Sequence, residues 1–428
     1  MSDPATKNKS PDKESQHKKA VENSIGKIFC LYGEQYIEEY KPALHKIKLI
    51  RSMRVCKSPA MGGKAIVCKK CAHHHYLYYG CGNSHCPICG SIKREQWEDK
   101  LRADLLPVAY VHIIFTLPKE LRRLARMNKK EIYNLLMRSS WQTIKELSEK
   151  EENIGALPGI ISVLHTFGSD MKYHVHTHNL VTFGGYDKRT EKWKSPKRKD
   201  KIARYRKMSS RYKEIFLEGL EELYKAGLII YDESYDQIKL GVADKRWVVH
   251  NTKPTLDTRI LEQYLSRYIN RIAISNSKVE WLEEQQKVKL IHNDYENQKE
   301  GEAAPKTHRK FDPLMFIHQF MEHVLPKYFQ KTRRYGIQSN ASKKKYRKLI
   351  PEELTKEGAV IRTVMQIVTK LLAENPYQCE QCESEEYEIV MVLPDKEWIH
   401  RYIKVPGRSP PQKRTFEEII RHQRGIAV

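Results

Sequence analysis

The chain has 428 residues, enough for two or three domains, and its 77 Lys and Arg against 53 Asp and Glu give a net charge of +24. A charge excess of this size favours a polyanionic partner. No apolar run reaches the roughly 20 residues that a membrane span needs, and the polar N-terminus does not resemble a signal peptide. We therefore expect a cytoplasmic protein whose nine cysteines are metal ligands or free thiols rather than disulfides.

The first quarter of the chain divides by composition. Residues 1–22 form a basic tail that we expect to be disordered, because it has little apolar surface to bury. Residues 23–55 read as helical with an interruption near Pro42. Residues 56–100 are rich in cysteine and run into a charged helix. Together, residues 23–105 are expected to form a helical segment followed by a zinc-binding module.

The central part shows alternating and β-branched patterns that predict strands. Three strands are expected, at Tyr110–Leu117, Gly159–Phe167 and Tyr173–Gly185, with an amphipathic helix at Lys129–Lys150 between the first two. This order suits an α+β fold with an antiparallel sheet and helices packed on one side. We assign it to a domain over residues 106–282.

The rest of the chain is more charged. Residues 186–213 contain 13 Lys or Arg against three acids, which suits either phosphate contact or a solvated surface. Further elements are expected as helix Ser209–Ala226, strand Arg246–His250, helix Asp257–Ile272, a hairpin and linker over 283–310, and a helix over 312–326. Residues 283–428 are expected to be mostly helical.

The histidine strand carries the strongest chemical signal. In YHVHTHNLVTFGG, His174, His176 and His178 alternate, so an extended strand points all three imidazoles to one face. Converging imidazoles suit a divalent metal, although a histidine-rich solvated face would show the same pattern.

The cysteines predict a structural zinc site. Cys68-x2-Cys71 and Cys86-x2-Cys89 have the spacing of two knuckles that complete one tetrahedron. Cys81 and His85 lie between them, and either could replace a ligand. Cys56 keeps no assigned role, and the distant pair Cys379-x2-Cys382 could be half of another knuckle, for which the sequence shows no convincing second half.

A tyrosine pair follows in LEQYLSRYINR. Tyr264 and Tyr268 are four residues apart, so a helix puts both phenols on one face, with Arg267 and Arg271 beside them. Two tyrosines packing a helix onto the sheet would give the same pattern. Beside a metal, however, a tyrosine oxygen can attack a phosphate and form a covalent link.

These motifs together resemble the HUH-type rolling-circle transposases of bacterial insertion sequences. The similarity is to the two-tyrosine group typified by insertion sequence ninety-one, which has an N-terminal transposase zinc-binding domain. It is carried by three ordered blocks, namely CKKC with CGNSHCPIC, the histidine strand with KRWVVH and YLSRYINR, and FIHQFMEHVLPKYFQKTRRYGI.

The resemblance implies particular roles for these residues. His176 and His178 would bind catalytic Mg2+ or Mn2+, and Tyr264 and Tyr268 would be the nucleophiles. We favour His165 as third metal ligand, because antiparallel pairing of its strand could bring it beside His176. The other candidates are His174, Gln263 and Asn270. The fold implied is the HUH palm, a ferredoxin- or RRM-like antiparallel sheet.

The expected activity is transposition. The protein would nick and rejoin single-stranded DNA at transposon ends through a 5′-phosphotyrosine, with Arg267 and Arg271 holding phosphates. GGKA at residues 62–65 lacks the Walker spacing, so unwinding would come from the host helicase or replication machinery. We expect the protein to be associated with the bacterial nucleoid. The alternatives are a replication initiator or relaxase with the same chemistry, and a non-catalytic zinc-dependent DNA-binding protein.

Overall fold

The structure is a computed structural model that describes residues 25–232, 234–256, 274–295, 297–299, 302–349, 362–372, 375 and 377–392. The chain divides into two compact units. The sheet unit comprises Ile92–Ala273 and Glu322–Leu371. The ribbon unit comprises Met1–Ser91, Ile274–Met321 and Leu372–Val428. Each unit draws on separated segments, whereas the predicted domains follow chain order.

The helices of the described residues are numbered in chain order. They are α1 Ile25–Tyr40, α2 Leu44–Arg54, α3 Pro87–Asp104, α4 Arg122–Met127, α5 Lys129–Glu149, α6 Tyr205–Lys225, α7 Tyr235–Ala243, α8 Pro313–Glu322, α9 Lys343–Arg347 and α10 Val364–Leu372. Among the described residues, none of these helices combines the length and the apolar composition that a membrane span requires.

The strands are numbered in the same way. They are β1 Gly63–Cys68, β2 His74–Tyr78, β3 Tyr110–Thr116, β4 Leu157–Phe167, β5 Tyr173–Asp187, β6 Lys192–Lys194, β7 Val249–Asn251, β8 Val279–Leu282, β9 Lys287–Asn293, β10 Lys306–Phe311, β11 Thr332–Gly336 and β12 Tyr387–Val392.

The sheet unit is built on one antiparallel sheet. Its strand order is β11-β4-β5-β3-β7, and β6 adds to the end of β5. The sequence predicts strands at β3, β4 and β5 because β-branched and aromatic residues alternate there. The central strand is β5, which carries the histidines, pairs with β4 along most of its length and pairs with β3 over His176–Thr182.

The two faces of this sheet differ in what covers them. One face packs against α5 and α6 in the larger apolar core, which includes Phe115, Val175 and Phe216. Two polar residues of β5 also point to that side and are paired there: the Thr177 hydroxyl lies 2.8 Å from that of Ser140 on α5, and Asn179 donates to the Ile113 carbonyl oxygen at 3.1 Å. These bonds satisfy polar groups that burial would otherwise leave costly.

The opposite face has a smaller apolar cluster at one end. Leu101 of α3 packs there with Tyr110, Val163 and Leu180, all of which are buried. Since side chains alternate along a strand, His178, two residues before Leu180, lies on this second face. His165, two residues after Val163, lies on it as well. His178 and His165 therefore lie beyond the edge of the cluster rather than against α5 and α6.

The ribbon unit contains two small antiparallel sheets. Their orders are β12-β1-β2 and β10-β9-β8. Helices α1 and α2 belong to this unit, and Phe29 of α1 packs edge-on against Phe320 of α8 with ring centroids 5.2 Å apart. Such aromatic contacts supply much of the buried apolar area of a small unit.

The α+β fold class with antiparallel sheets is confirmed. The predicted strands at Tyr110–Leu117 and Gly159–Phe167 correspond to β3 and β4, and the helix predicted at Lys129–Lys150 corresponds to α5. The helix break near Pro42 falls between α1 and α2. In the described part of residues 283–428, strands accompany the helices, and β11 joins the central sheet. The predicted helix Asp257–Ile272 lies outside the described residues.

Candidate metal centre and cysteine clusters

Strand pairing brings three histidines together on one face of the sheet. The register places His165 of β4 opposite His176 of β5, which is the antiparallel pairing that the sequence led us to expect. His178 is two residues further along β5, on the same face as His176. All three side chains are buried.

The three imidazoles lie close enough to share one ion. One ring nitrogen from each of His165, His176 and His178 lies within 4.8 Å of the other two. The Nε2 atoms of His176 and His178 are 2.9 Å apart. Octahedral Mg2+ binds its ligands at 2.0–2.1 Å, which separates neighbouring ligands by about 2.9 Å. The donor set and its spacing therefore fit a divalent ion.

Hydrogen bonds orient two of these rings. His176 Nδ1 lies 2.9 Å from the His174 carbonyl oxygen, so that nitrogen carries the proton and Nε2 keeps its lone pair. His178 Nδ1 lies 2.9 Å from Nε2 of His112 on β3. A proton on His178 Nδ1, donated to His112, leaves His178 Nε2 as a metal donor. Partners of this kind fix ring orientation in metal sites.

His174 is placed differently from the other histidines of the strand. Its Nδ1 accepts a hydrogen bond from the Arg122 guanidinium at 2.9 Å. That bond puts the imidazole proton on Nε2 in the neutral ring, which removes the lone pair that a metal would need there. The structure thus brings His165, rather than His174, into the group with His176 and His178.

Burial and nearby positive charge favour the neutral form of His178 and of its partner His112. Burial lowers the pKa of His178 well below its ordinary value, and the neighbouring histidines and Lys331 lower it further. Burial together with His250 lowers the pKa of His112 to about 3. Neutral imidazole is the form that binds metal, so the local electrostatics suit that use.

Two residues near the site were not singled out from the sequence. His112 lies within the apolar strand β3, and its contact with His178 depends on the register between β3 and β5. Lys331 directly precedes β11, and its carbonyl accepts a hydrogen bond from the Leu164 amide at 3.0 Å. Burial lowers the pKa of Lys331 to about 8. No motif in the sequence linked that lysine to the histidine strand.

Other predicted site residues lie outside the described residues. These are Tyr264, Tyr268, Arg267 and Arg271, together with the alternative ligands Gln263 and Asn270. Their roles remain predictions.

The cysteines form two clusters rather than the single site predicted from Cys68, Cys71, Cys86 and Cys89. Cys86 and Cys89 lie with Cys56 and Cys81. The Sγ atom of Cys56 lies 3.6 Å from the Sγ atom of Cys86 and 3.6 Å from that of Cys89, and Cys81 Sγ lies 3.9 Å from Cys89 Sγ. Four thiolates around zinc at about 2.3 Å are separated by about 3.8 Å, so this spacing fits a zinc tetrahedron. Cys81, rather than His85, belongs to this group.

The predicted pairing is corrected because Cys68 and Cys71 face another part of the chain. Their Sγ atoms lie 3.5 Å from those of Cys382 and Cys379, respectively. Spacing along the sequence could not reveal a partner more than 300 residues away. The knuckle motif predicted that these cysteines have partners, but it could not say which ones.

The basic insertion is partly neutralised by acidic residues of the same unit. Lys194 of β6 pairs with Asp187 at 2.9 Å, and Lys207 pairs with Glu152 at 2.8 Å. Lys197, Arg198 and Lys199 are exposed.

The structure is that of an α+β protein with a cysteine-rich module and a group of three histidines whose spacing fits a divalent ion. Comparison with known families adds two matches. Residues 159–345 match the family described as "Putative transposase", and residues 28–117 match the "Transposase zinc-binding domain". The first range contains β5, nearly all of β4 and the three site histidines, and the second contains Cys56, Cys81, Cys86 and Cys89.

Curated relatives give the same assignment. The "Putative transposase y4qJ" of Sinorhizobium fredii is 29% identical over 326 residues, covering 74% of this chain and 80% of the relative. The "Transposase for insertion sequence element IS801" of Pseudomonas savastanoi pv. phaseolicola is 25% identical over 300 residues, covering 69% of this chain and 70% of the relative. No solved structure matches. The chain is therefore similar to transposases over most of its length, with a region like the transposase zinc-binding domain followed by a region like the putative transposase family.

Proposed function

We propose that this transposase nicks and rejoins single-stranded DNA by metal-assisted tyrosine attack, through a 5′-phosphotyrosine intermediate, in rolling-circle-type transposition. The observation that carries the proposal is the convergence of His165, His176 and His178 on one face of the sheet. A Mg2+ or Mn2+ ion bound there would polarise the scissile phosphate and neutralise charge in the transition state.

The remaining chemistry belongs to residues of the chain. In the proposed step the phenolic oxygen of Tyr264 or Tyr268 loses its proton and attacks phosphorus. The new bond joins that oxygen to phosphorus, the P–O3′ bond breaks, and the departing 3′ oxygen gains a proton. The 5′-phosphotyrosine retains the energy of the broken bond, so a 3′ hydroxyl can reverse the step on another strand. Two tyrosines allow two such links at once.

Cationic side chains near the histidines support phosphate binding. Lys331 lies near enough to His178 to lower the pKa of that imidazole, and Arg122 contacts His174 beside the site. A phosphodiester approaching the histidine face would meet both positive charges, which favour the anion over competing neutral groups. Arg267 and Arg271 are proposed as further phosphate ligands on the strength of the family resemblance.

The decisive experiment incubates the full chain with single-stranded transposon ends and Mg2+ and maps any covalent adduct by mass spectrometry. We expect an adduct on Tyr264 or Tyr268 that disappears in the Tyr264→Phe, Tyr268→Phe double variant and in EDTA. Tyr295→Phe serves as the matched control, because Tyr295 is an exposed tyrosine of the ribbon unit. An adduct that persists in the double variant, or that forms without metal, would sink the proposal.

The same assay separates the proposal from its alternatives. A replication initiator or relaxase would cleave an origin-like site equally well without transposon ends in the substrate. A non-catalytic DNA-binding protein would keep its DNA affinity, and show no adduct, whether or not His176 and His178 are replaced by alanine. The proposed partners are therefore single-stranded DNA and the element's own ends, with strand separation left to the host.

A further inference from the structure

We propose that Cys68, Cys71, Cys379 and Cys382 bind a second structural Zn2+, so that a zinc ion fastens the C-terminal strand β12 to the N-terminal ribbon of the transposase. This site is separate from the group formed by Cys56, Cys81, Cys86 and Cys89. Half of its ligands also lie beyond residues 28–117, the range that matches the transposase zinc-binding domain.

The distances fit four thiolates around one ion. Cys68 Sγ lies 3.5 Å from Cys382 Sγ, and Cys71 Sγ lies 3.5 Å from Cys379 Sγ. All four sulfurs lie within 4.8 Å of one another. A zinc tetrahedron with bonds of about 2.3 Å requires sulfurs about 3.8 Å apart, whereas a disulfide requires about 2.0 Å. The arrangement is that of a shared ion.

The two halves of the site are built in the same way. The amide of Cys68 donates to the His73 carbonyl oxygen at 3.0 Å, and the amide of Ala72 donates to the Cys68 carbonyl oxygen at 2.9 Å. Cys379 and Glu383 repeat this pattern at the same offsets, with the amide of Cys379 donating to the Ser384 carbonyl oxygen at 2.9 Å and that of Glu383 to the Cys379 carbonyl oxygen at 2.9 Å. Two unrelated loops have therefore taken the same fold.

The residue four places after the first cysteine has the same unusual backbone in both loops. Ala72 and Glu383 each have φ of 58°, in the left-handed region that non-glycine residues enter at a cost. The two loops therefore share the same backbone conformation at this position as well as the same hydrogen bonds. Because both loops adopt this unfavourable backbone conformation at the same position, we infer that the two loops have the same structural role.

Backbone amides lie close to the sulfur atoms in both loops. Cys68 Sγ accepts from the amides of Lys70 and Cys71, and Cys379 Sγ accepts from those of Gln381 and Cys382. The second sulfur of each loop accepts from the amide two residues later, which is that of His73 or Ser384. Such N–H···S bonds are what a tetrathiolate centre needs, because they spread the negative charge of the four sulfurs.

The site has a clear structural task. Strand β12 pairs with β1 directly after the second loop, with Tyr387 opposite Cys68 and Val392 opposite Lys64. It lies at the edge of its sheet, and Ile389, Val390 and Val392 are largely exposed, so it buries little apolar surface of its own. A zinc ion that links the two loops supplies the anchoring that side-chain packing does not.

Zinc stoichiometry of the purified full chain tests the proposal. We expect two zinc ions per chain in the wild type and one in the Cys379→Ser, Cys382→Ser variant. The Cys86→Ser, Cys89→Ser variant should also retain one, and Cys30→Ser should retain two, because Cys30 is exposed and outside both groups. A single zinc ion in the wild type that survives the Cys379→Ser, Cys382→Ser substitution would overturn the proposal.

Alkylation of the unmodified protein covers the case in which a variant fails to fold. Cys71 is exposed, so an unliganded thiol there should react as fast as that of Cys30. We expect Cys71 and Cys382 to resist iodoacetamide until a chelator is added, and hydrogen exchange over residues 387–392 to increase at the same point. Rapid alkylation of Cys71 before chelation would refute a zinc site, as would an intact mass showing disulfides.

Discussion

His112 offers the sharpest test of how the metal centre is built. Its Nε2 lies 2.9 Å from Nδ1 of His178, and both side chains are only 4% exposed. Replacing His112 with phenylalanine keeps a ring of similar size but removes the acceptor. No bulk water can take its place, so the His178 Nδ1–H is left unsatisfied and the ring loses its orientation.

The magnitude follows from the kind of contact that is lost. Removing a hydrogen-bond partner of a metal-binding histidine costs about 10–100-fold in metal affinity, which is about 1.4–2.7 kcal/mol. We expect His112→Phe to weaken Mn2+ binding by this factor, measured by isothermal titration calorimetry on the full chain. His112→Gln should recover most of the affinity, since its amide oxygen can stand close to the position of Nε2.

The control and the contrary result are simple to define. His308→Ala removes an exposed imidazole of the ribbon unit and should leave Mn2+ affinity unchanged. If His112→Phe binds Mn2+ within twofold of the wild type while folding normally, His112 does not orient His178. The proposed tautomer of His178 would then be wrong.

Three further predictions concern the same unit. His165→Ala should weaken Mn2+ binding by at least 100-fold whereas His174→Ala should change it less than fivefold, and the reverse order in calorimetry would contradict our choice of third ligand. Burial lowers the pKa of His323 from 6.5 to about 4, so below pH 6.5 the unfolded chain takes up a proton that the folded chain refuses. The free energy of unfolding should therefore fall by about 2 kcal/mol between pH 8 and pH 5. Measured by urea unfolding, it should fall less over that range in His323→Gln. Gly336 has φ of 60°, and an added Cβ would overlap the main-chain oxygen of Pro158 on β4. Gly336→Ala should therefore lower the free energy of unfolding by more than the roughly 1–2 kcal/mol of a left-handed alanine. Gly227→Ala, at φ of 63° with open space around it, should cost no more than that amount, and equal thermal shifts for the two variants would contradict the reasoning.

The sequence predicted the sheet well where local pattern determines structure. Alternation along β3, β4 and β5 is a property of neighbouring residues, so strand positions and the shared face of His176 and His178 could be inferred directly. The pairing of His165 with His176 followed from a single antiparallel turn.

Long-range partners were beyond such reasoning. Nothing near Cys68 and Cys71 indicates Cys379 and Cys382, because a cysteine knuckle specifies a partner of the same chemistry but no position in the chain. His112 was missed for a similar reason, since its contact with His178 depends on the register between β3 and β5. The addition of β11 to the central sheet also depends on pairing between distant segments.

The position of β11 has a consequence for synthesis of the protein. This strand pairs with β4, with Thr332 opposite Val163, so some 170 residues separate the partners. Until the ribosome has delivered β11, β4 is an edge strand with unpaired amides and carbonyls beside the histidine strand. Exposed edges of this kind recruit other strands and promote aggregation. The nascent transposase is therefore most vulnerable to mispairing while its histidine strand is already made and its last sheet strand is not.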